Sequence, residues 1–588
     1  MRRVFFFLFL IAALSFYMSA QEREQEARQL TVQVFSARSF SSLTISPLGD
    51  NEWIRACHTC ERKALGAPLI AKVNAGSIVL SSGMRSQDIE LEGSFRMQPD
   101  GAERKIAAAG VWRLKLSHGE MYLLLTLDSE RYVALALNGE ADPNEQLESL
   151  KAMAVTMRTY ALENANRHSK EGFNLCDSTH CQALRFGEIS PAIKEAVLET
   201  AGEMLWYRGR RATVFYTQNC GGESEDAGSV WTKLDAPYLK AHSDPYCARH
   251  ASSQWHAEIS VSQMQMVFRK QGWKLPSTIE AVRIAKRTRA GRVAELEFSG
   301  EGISIPVTAS SLRFAMDRSL GWNQLRSDGY TVSLNNGVLY FNGKGYGHGV
   351  GLCQAGAFEM ATEGHSYREI LSFYFPGTSI GITAKDSGWQ TRQSSGLTLY
   401  TVASQPTLLQ EANTEWSRAQ TLFPPRAPIK PVIRQFPTTE LFRQSTGEPG
   451  WVLASAQGTK VFLQPMSVLQ KNGREDGTLL HEFLHLLIEQ ESSPQAPLWL
   501  REGLVEALAE PAVSRSNTIT TNNLDALLAH PASQADSQRA HTDAEHLAQS
   551  LLARYGLEQM RQWLRSERLP DEVVRMLPQL ESSPSTRP

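Results

Sequence analysis

"LESLKAMAVTMRTYALENAN", residues 147–166, decides how the rest of the chain is read. Leu147, Leu150, Ala154, Met157 and Ala161 recur at steps of three and four residues, which places them on one face of a helix. Upstream the period changes. Residues 29–135, including "LTVQVFSARSF", "GSIVLSSG", "DIELEGSFRM" and "GVWRLKLSHGEMYLLLTL", alternate apolar and polar side chains between frequent turns. A period of two predicts antiparallel strands. Downstream the spacing predicts a second helix at 190–204, mixed strands to about 345 and a helix near 353–374. The expected class is α+β, with a β-rich part at 29–135 and a mixed core at 136–383.

At 588 residues the chain is too long for one ordinary core, so two or more domains are expected. "AKDSGWQTRQSSG" (384–396) is polar, aperiodic and contains serine and glycine, and reads as the linker between them. Beyond it come strand "LTLYTVA", helix "PTLLQEANTEWSRAQTLF", strand "KPVIRQF", helix "TTELFRQS" and strand "KVFLQP", the start of a second α+β domain at 397–580. The tail "ESSPSTRP" (581–588) is expected to be disordered.

A formal charge of −2 gives no electrostatic argument for nucleic acid or an anionic membrane. The N-terminus is more informative. Arg2 and Arg3 precede "VFFFLFLIAALSFYMSA", and this pattern matches an export signal at 1–20 cleaved near Ala20. Left uncleaved, the same stretch is marginally long enough to anchor the chain in a membrane. Either way the body is expected outside the cytoplasm, in the periplasm or cell envelope. Oxidising surroundings favour disulfides, but seven cysteines cannot all pair with one another. "CHTC" (57–60) reads as a small structural loop; Glu61 follows it where a haem attachment site needs His.

Two further motifs carry chemistry. In "GTLLHEFLHLLIEQ" (477–490), His481 and His485 lie one helical turn apart on one face, so both imidazoles can reach one zinc ion. Glu482 between them can act as general base. "PLWLREGLVEALAE" (497–510) opens a helix in which Glu502 follows His485 by 17 residues. This pair of segments resembles the gluzincin (peptidase MA-like) metallopeptidases, in which "HExxH … P-x-W-L-x-E-G-x-x-E" supplies the third ligand from the Glu before Gly. The resemblance covers roughly 397–580. It implies a zincin-like fold, a peptide or protein substrate, His481, His485 and Glu502 as zinc ligands, and Glu506 as an outer partner.

The second motif is spread over three segments, 139–184, 214–246 and 341–378, which contain "GEADPNEQLESLKAMAVTMRTYALE", "DSTHCQAL", "QNCGGES" and "GYGHGVGLCQAGA". In order and spacing they are similar to the stage II sporulation protein D (SpoIID/LytB) family over about 30–380. The family's members cleave peptidoglycan glycan strands as lytic transglycosylases, or enhance a partner amidase. The resemblance implies one carboxyl group that protonates the glycosidic oxygen and then takes a proton as the sugar's 6-hydroxyl closes a 1,6-anhydro ring. Hydrolytic glycosidases instead need a second carboxylate. Glu140 and Glu148 both stand where the family has glutamates. The dipole at the first helical turn favours a negative charge on Glu148, against the needs of an acid, while Glu140 precedes that helix. Both remain open. Cys176, His180 and Cys181 fit a second zinc site with His168 upstream, or a Cys176–Cys181 disulfide. His348, among glycines, is placed at the cleft. Cys220 and Cys353 stand where the family has serines, Met153 where it has Gln and "E-A-D" where it has "E-M-P"; Cys220 paired with Cys247 would lock that loop.

Overall fold

Asp88–Pro99 and Ile106–Ser117 pair antiparallel from Asp88 opposite Lys115 to Met97 opposite Ile106, and Glu120–Asp128 continues the meander. This computed structural model describes residues 29–574 except 50, 143, 251–252, 275, 277, 322, 473–474, 510–523 and 567. The expected export signal (1–20) and disordered tail (581–588) lie outside the described residues. The chain divides between Lys385 and Asp386 into two compact units.

In the first unit, the alternating segments build an 11-stranded sheet. His118 (φ 53°) and Gly119 (φ 82°) form a two-residue turn in which both residues are left-handed, the twist that adjoining strands favour. Gln29–Val34 pairs antiparallel with Glu120–Asp128 and parallel with Leu175–Cys176, which ties the cysteine-rich segment to the sheet edge.

The strands end sooner than 135. Ser129–Glu140 is a helix, capped by Asp128 Oδ1, which accepts from the Arg131 N–H at 2.7 Å. Its stretch Tyr132–Leu137 is buried throughout, so the sequence lacks the polar face that marks a surface helix. Leu147–Glu163 is helical as expected, and every residue from Ser149 to Leu162 is buried. Such an enclosed helix still carries a charge. Arg158, 1% exposed, donates to Glu130 through Nε (2.9 Å) and Nη2 (2.6 Å) and to the Glu203 carbonyl through Nη1 (3.0 Å). The helix expected at 190–204 is shorter, Pro191–Glu199, and Met204–Tyr207 is a strand. That expected at 353–374 divides into Gln354–Thr362 and Tyr367–Tyr374, with Gly364 (φ 89°) between them and a Ser366–Glu369 capping box starting the second.

Residues 254–344 gather a core of their own from Trp255, Met264, Phe268, Phe298, Leu312 and Phe341. Two three-stranded sheets and the helices Val261–Lys270 and Ala309–Leu320 surround it. Its first strand, Gln254–Ser260, lies antiparallel to its last, Val338–Lys344.

In the second unit, five strands lie in the order Gln390–Gln393, Thr398–Thr401, Val432–Gln435, Lys460–Leu463, Ala454–Gln457. The inner three are parallel and the outer two antiparallel to their neighbours. Gln390–Gln393 falls inside the expected linker 384–396: a polar edge strand gives no apolar alternation to read. Helices Leu408–Leu422, Glu475–Glu491, Leu498–Ala509 and Gln534–Arg565 are the longest of the unit among the described residues, the last kinked at Gly556. Trp416, Phe483, Leu504 and Leu547 are among its core residues. Among the described residues, no helix is long and apolar enough to cross a membrane.

Candidate functional sites

Glu140 closes the helix Ser129–Glu140, and there the dipole opposes a negative charge. Its Oε1 accepts from the Ala183 N–H at 2.9 Å, and Tyr216 hydrogen-bonds the same carboxyl. Burial outweighs both bonds and raises its pKa. Gly139 permits the approach to Ala183: a Cβ there would lie 2.1 Å from the Ala183 carbonyl oxygen. Gln182 is held between Tyr132, whose hydroxyl donates to its Oε1 (3.0 Å), and Tyr216, whose hydroxyl oxygen accepts from its Nε2 (3.3 Å).

Glu140 lines a cavity of about 840 Å³ with Glu145, Arg185, Arg326, Tyr346 and Phe358 among its walls. Glu145 was not singled out by the sequence. Burial, then the nearby Asp142, pushes it up to about 7, and its Oε1 is buried without a hydrogen-bond partner among the described residues. Glu148 is placed differently. It accepts from Lys151 Nζ at 2.5 Å and from the Tyr367 N–H at 2.7 Å, at the start of the helix Tyr367–Tyr374. Lys151 also pairs with Glu199 at 2.5 Å. Glu148 is therefore a partner of Lys151 and of a helix terminus, and it is not among the residues lining the cavity.

His348 does not line this cavity either. Its Nδ1 accepts from the Val350 N–H at 3.0 Å, and its ring packs edge-on to Trp231 and Phe215 at 5.1 and 6.1 Å. Burial lowers it to about 3, with Arg313 and Arg292 adding to the effect, so the imidazole is neutral at ordinary pH.

Cys176, Cys181, His180 and His168 converge, with ligand atoms all within 4.8 Å of one another. Cys176 Sγ lies 3.2 Å from Cys181 Sγ and 3.6 Å from His180 Nδ1, and Cys181 Sγ lies 3.4 Å from His168 Nε2. Donors of a tetrahedral zinc ion stand roughly 3.3–3.8 Å apart at normal bond lengths; the sulfur–imidazole distances fall in this range, and the two sulfurs would move slightly apart to hold one. His168 Nδ1 faces Glu171 at 3.3 Å, an arrangement that fixes which ring nitrogen turns to the sulfurs. Both cysteines are free thiols, whereas Cys57 and Cys60 are joined by a disulfide.

The SpoIID family model, a stage II sporulation protein domain, matches residues 117–207, which hold Glu140, the buried helix and the Cys176–Cys181 segment. An uncharacterised protein of Brachyspira hyodysenteriae is 30% identical over 267 residues, 44% of this chain and 68% of its own length. Stage II sporulation protein D of Bacillus subtilis is 24% identical over 314 residues, 50% of this chain and 87% of its own. This chain belongs to the SpoIID family. An amidase enhancer of Bacillus subtilis is 27% identical over 286 residues, 40% of this chain but only 39% of that relative. A domain of unknown function matches residues 238–351, close to the limits of the 254–344 core. Both family matches fall within the first unit of this SpoIID-family chain.

In the second unit, His481 and His485 lie on the helix Glu475–Glu491 with their Nε2 atoms 3.0 Å apart. Glu502 Oε2 lies 3.5 Å from His485 Nε2, and Glu506 Oε2 lies 3.7 Å from His481 Nδ1. The "E-G" that carries Glu502 has a packing reason: a Cβ on Gly503 would lie 2.1 Å from the Ala544 carbonyl oxygen of the long helix. Burial lowers His481 to about 4 and also lowers His485, which leaves both rings neutral, as ligands must be. Glu482, 6% exposed, is pushed up to about 8 by burial and then by Glu502 and Glu506. Two neutral imidazoles beside a carboxylate form a donor set of the kind that holds zinc. His541, which the sequence did not offer, stands 3.6 Å from Glu502 and, with His481, Glu482 and Glu506, lines a cavity of about 270 Å³. Only tertiary packing brings it there, 56 residues after His485 in sequence.

Proposed function

We propose that the first unit cleaves peptidoglycan glycan strands as a lytic transglycosylase, with Glu140 as the acid that becomes the base. The supporting observation is its carboxyl in the wall of the large cavity, with a pKa raised by burial at the negative end of a helix. Such a group holds a proton for the glycosidic oxygen and, once ionised, can accept one from the sugar's 6-hydroxyl. The Ala183 N–H and Tyr216 orient it. Tyr346 and Phe358 offer apolar faces to sugar rings, and Arg185 and Arg326 offer donors. Zinc held by His168, Cys176, His180 and Cys181 would act structurally, because the next two residues, Gln182 and Ala183, brace the Glu140 region. Export to the cell envelope belongs to the same proposal.

The test is incubation with denuded glycan strands and assay for anhydro-muramyl ends. Glu140→Gln lowers product at least about 100-fold, the scale of general acid–base catalysis. Glu148→Gln, which keeps an acceptor for the Tyr367 N–H, stays within a few-fold of wild type. Loss of activity in Glu148→Gln at an unchanged melting temperature would move the assignment to Glu148.

The amidase enhancer among the relatives favours a second reading, in which this unit binds glycan and activates a cell-wall amidase. It predicts that Glu140→Gln still stimulates the amidase and that wild type releases no anhydro product.

For the second unit we propose a zinc metallopeptidase acting on a wall-associated peptide or protein, with His481, His485 and Glu502 as ligands. Bound there, zinc would supply Lewis-acid activation of the scissile carbonyl and of the attacking water. Glu482 takes the proton, Glu506 orients His481, and His541 offers a positive charge beside the cavity. Glu482→Gln is expected to keep its zinc and lose peptide hydrolysis, measured by metal content and cleavage of a casein-type substrate. An equal rate in this variant removes the assignment.

A further inference from the structure

Three buried thiols and a buried carboxylate meet at a second point in the first unit. Cys220 is 3% exposed, and Asp244, Cys247 and Cys353 are 0% exposed. Their Sγ and carboxylate oxygen atoms all lie within 4.8 Å of one another. They come from three segments: the loop after strand Tyr216–Thr217, the short helix Pro245–Arg249 with its cap Asp244, and the end of strand Leu352–Cys353. Up to 133 residues of sequence separate Cys220 from Cys353.

The loop around Cys220 brings its backbone against the sulfurs. The Cys220 N–H donates to Cys353 Sγ at 3.2 Å. Gly221 (φ 75°) and Gly222 (φ 88°) are both left-handed, and the Gly221 N–H donates to Asn219 Oδ1 at 2.8 Å. Asn219, 3% exposed, accepts from the Cys247 thiol through Oδ1 at 3.1 Å, and its Nδ2 is a buried donor without a partner among the described residues.

The carboxylate needs a cation. Asp244 accepts from the Tyr374 hydroxyl (2.8 Å), the Cys247 N–H (2.9 Å) and Cys220 Sγ (3.2 Å). Among the described residues, the structure gives it no ion pair with Lys, Arg or His. A buried carboxylate held only by neutral donors is costly, and a divalent cation at the thiols would offset that cost. Three soft thiolates and one carboxylate in a closed, dry set of four suit tetrahedral zinc.

We propose that Cys220, Asp244, Cys247 and Cys353 form a buried structural zinc site, separate from the His168–Cys181 set. The site staples together the segments that wall the Glu140 cavity. Gln218 and Asn219 precede Cys220, and Gln354 and Ala355 follow Cys353; all four line that cavity. The Ala355 N–H donates to the Gln218 carbonyl at 3.1 Å, so the two walls touch beside the staple.

The rival is a disulfide between two of the three cysteines, with the third left over. The experiment uses the full chain, purified without reductant or chelator. Zinc per chain is counted for wild type, Cys220→Ser/Cys353→Ser and Asp244→Asn, and cysteine-linked peptides are mapped by mass spectrometry. Serine nearly preserves the volume at both positions, and circular dichroism checks the fold. The expected result is one zinc equivalent fewer in the double variant, and no linked peptide among Cys220, Cys247 and Cys353 in wild type. Cobalt is then loaded into a Cys176→Ser/Cys181→Ser background. It should give a thiolate-to-metal charge-transfer band there, and lose that band when Cys220→Ser/Cys353→Ser is added. Equal zinc in wild type and a folded double variant, or a Cys220–Cys247 crosslink in wild type, overturns the proposal. If the double variant does not fold, the cobalt band in the Cys176→Ser/Cys181→Ser background decides alone, and its absence overturns the proposal.

Discussion

Glu140, Glu145 and Glu148 fall within nine residues, yet the fold gives them three different settings. Glu140 and Glu148 were visible because each stands at a position in a recognisable pattern. Spacing could not choose between them, since the choice depends on Lys151, Tyr367 and Ala183, and two of these arrive from elsewhere in the chain. Glu145 was invisible for a related reason: nothing local announces that a polar loop residue will be desolvated. Its raised pKa has a thermodynamic consequence. The folded chain keeps the Glu145 proton to about pH 7, whereas the unfolded chain releases it near 4.5. Between those values the native state binds more protons, so its stability falls as pH rises. Glu145→Gln removes this loss. The variant should match wild type at pH 4.5 and exceed it at pH 8 by at most about 3 kcal/mol, read from urea melts. A variant less stable than wild type at pH 8 would contradict the placement of Glu145.

At the level of elements, legibility follows burial. Leu147–Glu163 and Glu475–Glu491 were read from spacing and motif. Ser129–Glu140 was not, because its run "YVALAL" is apolar throughout and a short apolar run does not distinguish a buried strand from a buried helix. The pair Arg158–Glu130 joins Leu147–Glu163 to Ser129–Glu140 in the dry interior. Removing one member strands the other charge, so Arg158→Ala should cost about 3–5 kcal/mol in a denaturant melt. A loss below about 1 kcal/mol would mean that water reaches Glu130. Helix spacing also placed His481 and His485 on one face, but only the packing of Gln534–Arg565 shows that His541 joins them.

For the whole molecule, the sequence separated two domains but not the internal partition of the first. Each unit has its own buried core. Chains comprising 29–385 and 386–574 should therefore each fold with a cooperative thermal transition, and a fragment that melts without cooperativity would show that its core is incomplete. The four-residue cluster at Cys220 was beyond reading for the same topological reason: its members are distant in sequence and meet only after three segments are folded together. The core at 254–344 has one more consequence. Its chain enters at Gln254 and leaves at Lys344, directly opposite each other across one antiparallel pair, and the Gly345 N–H donates to the Ser253 carbonyl at 2.5 Å. Entrance and exit are neighbours, so this module behaves as a cassette. Exchanging it for a small turn would leave the path of the rest of the first unit unchanged, while taking Asn323 and Arg326 out of the wall of the Glu140 cavity.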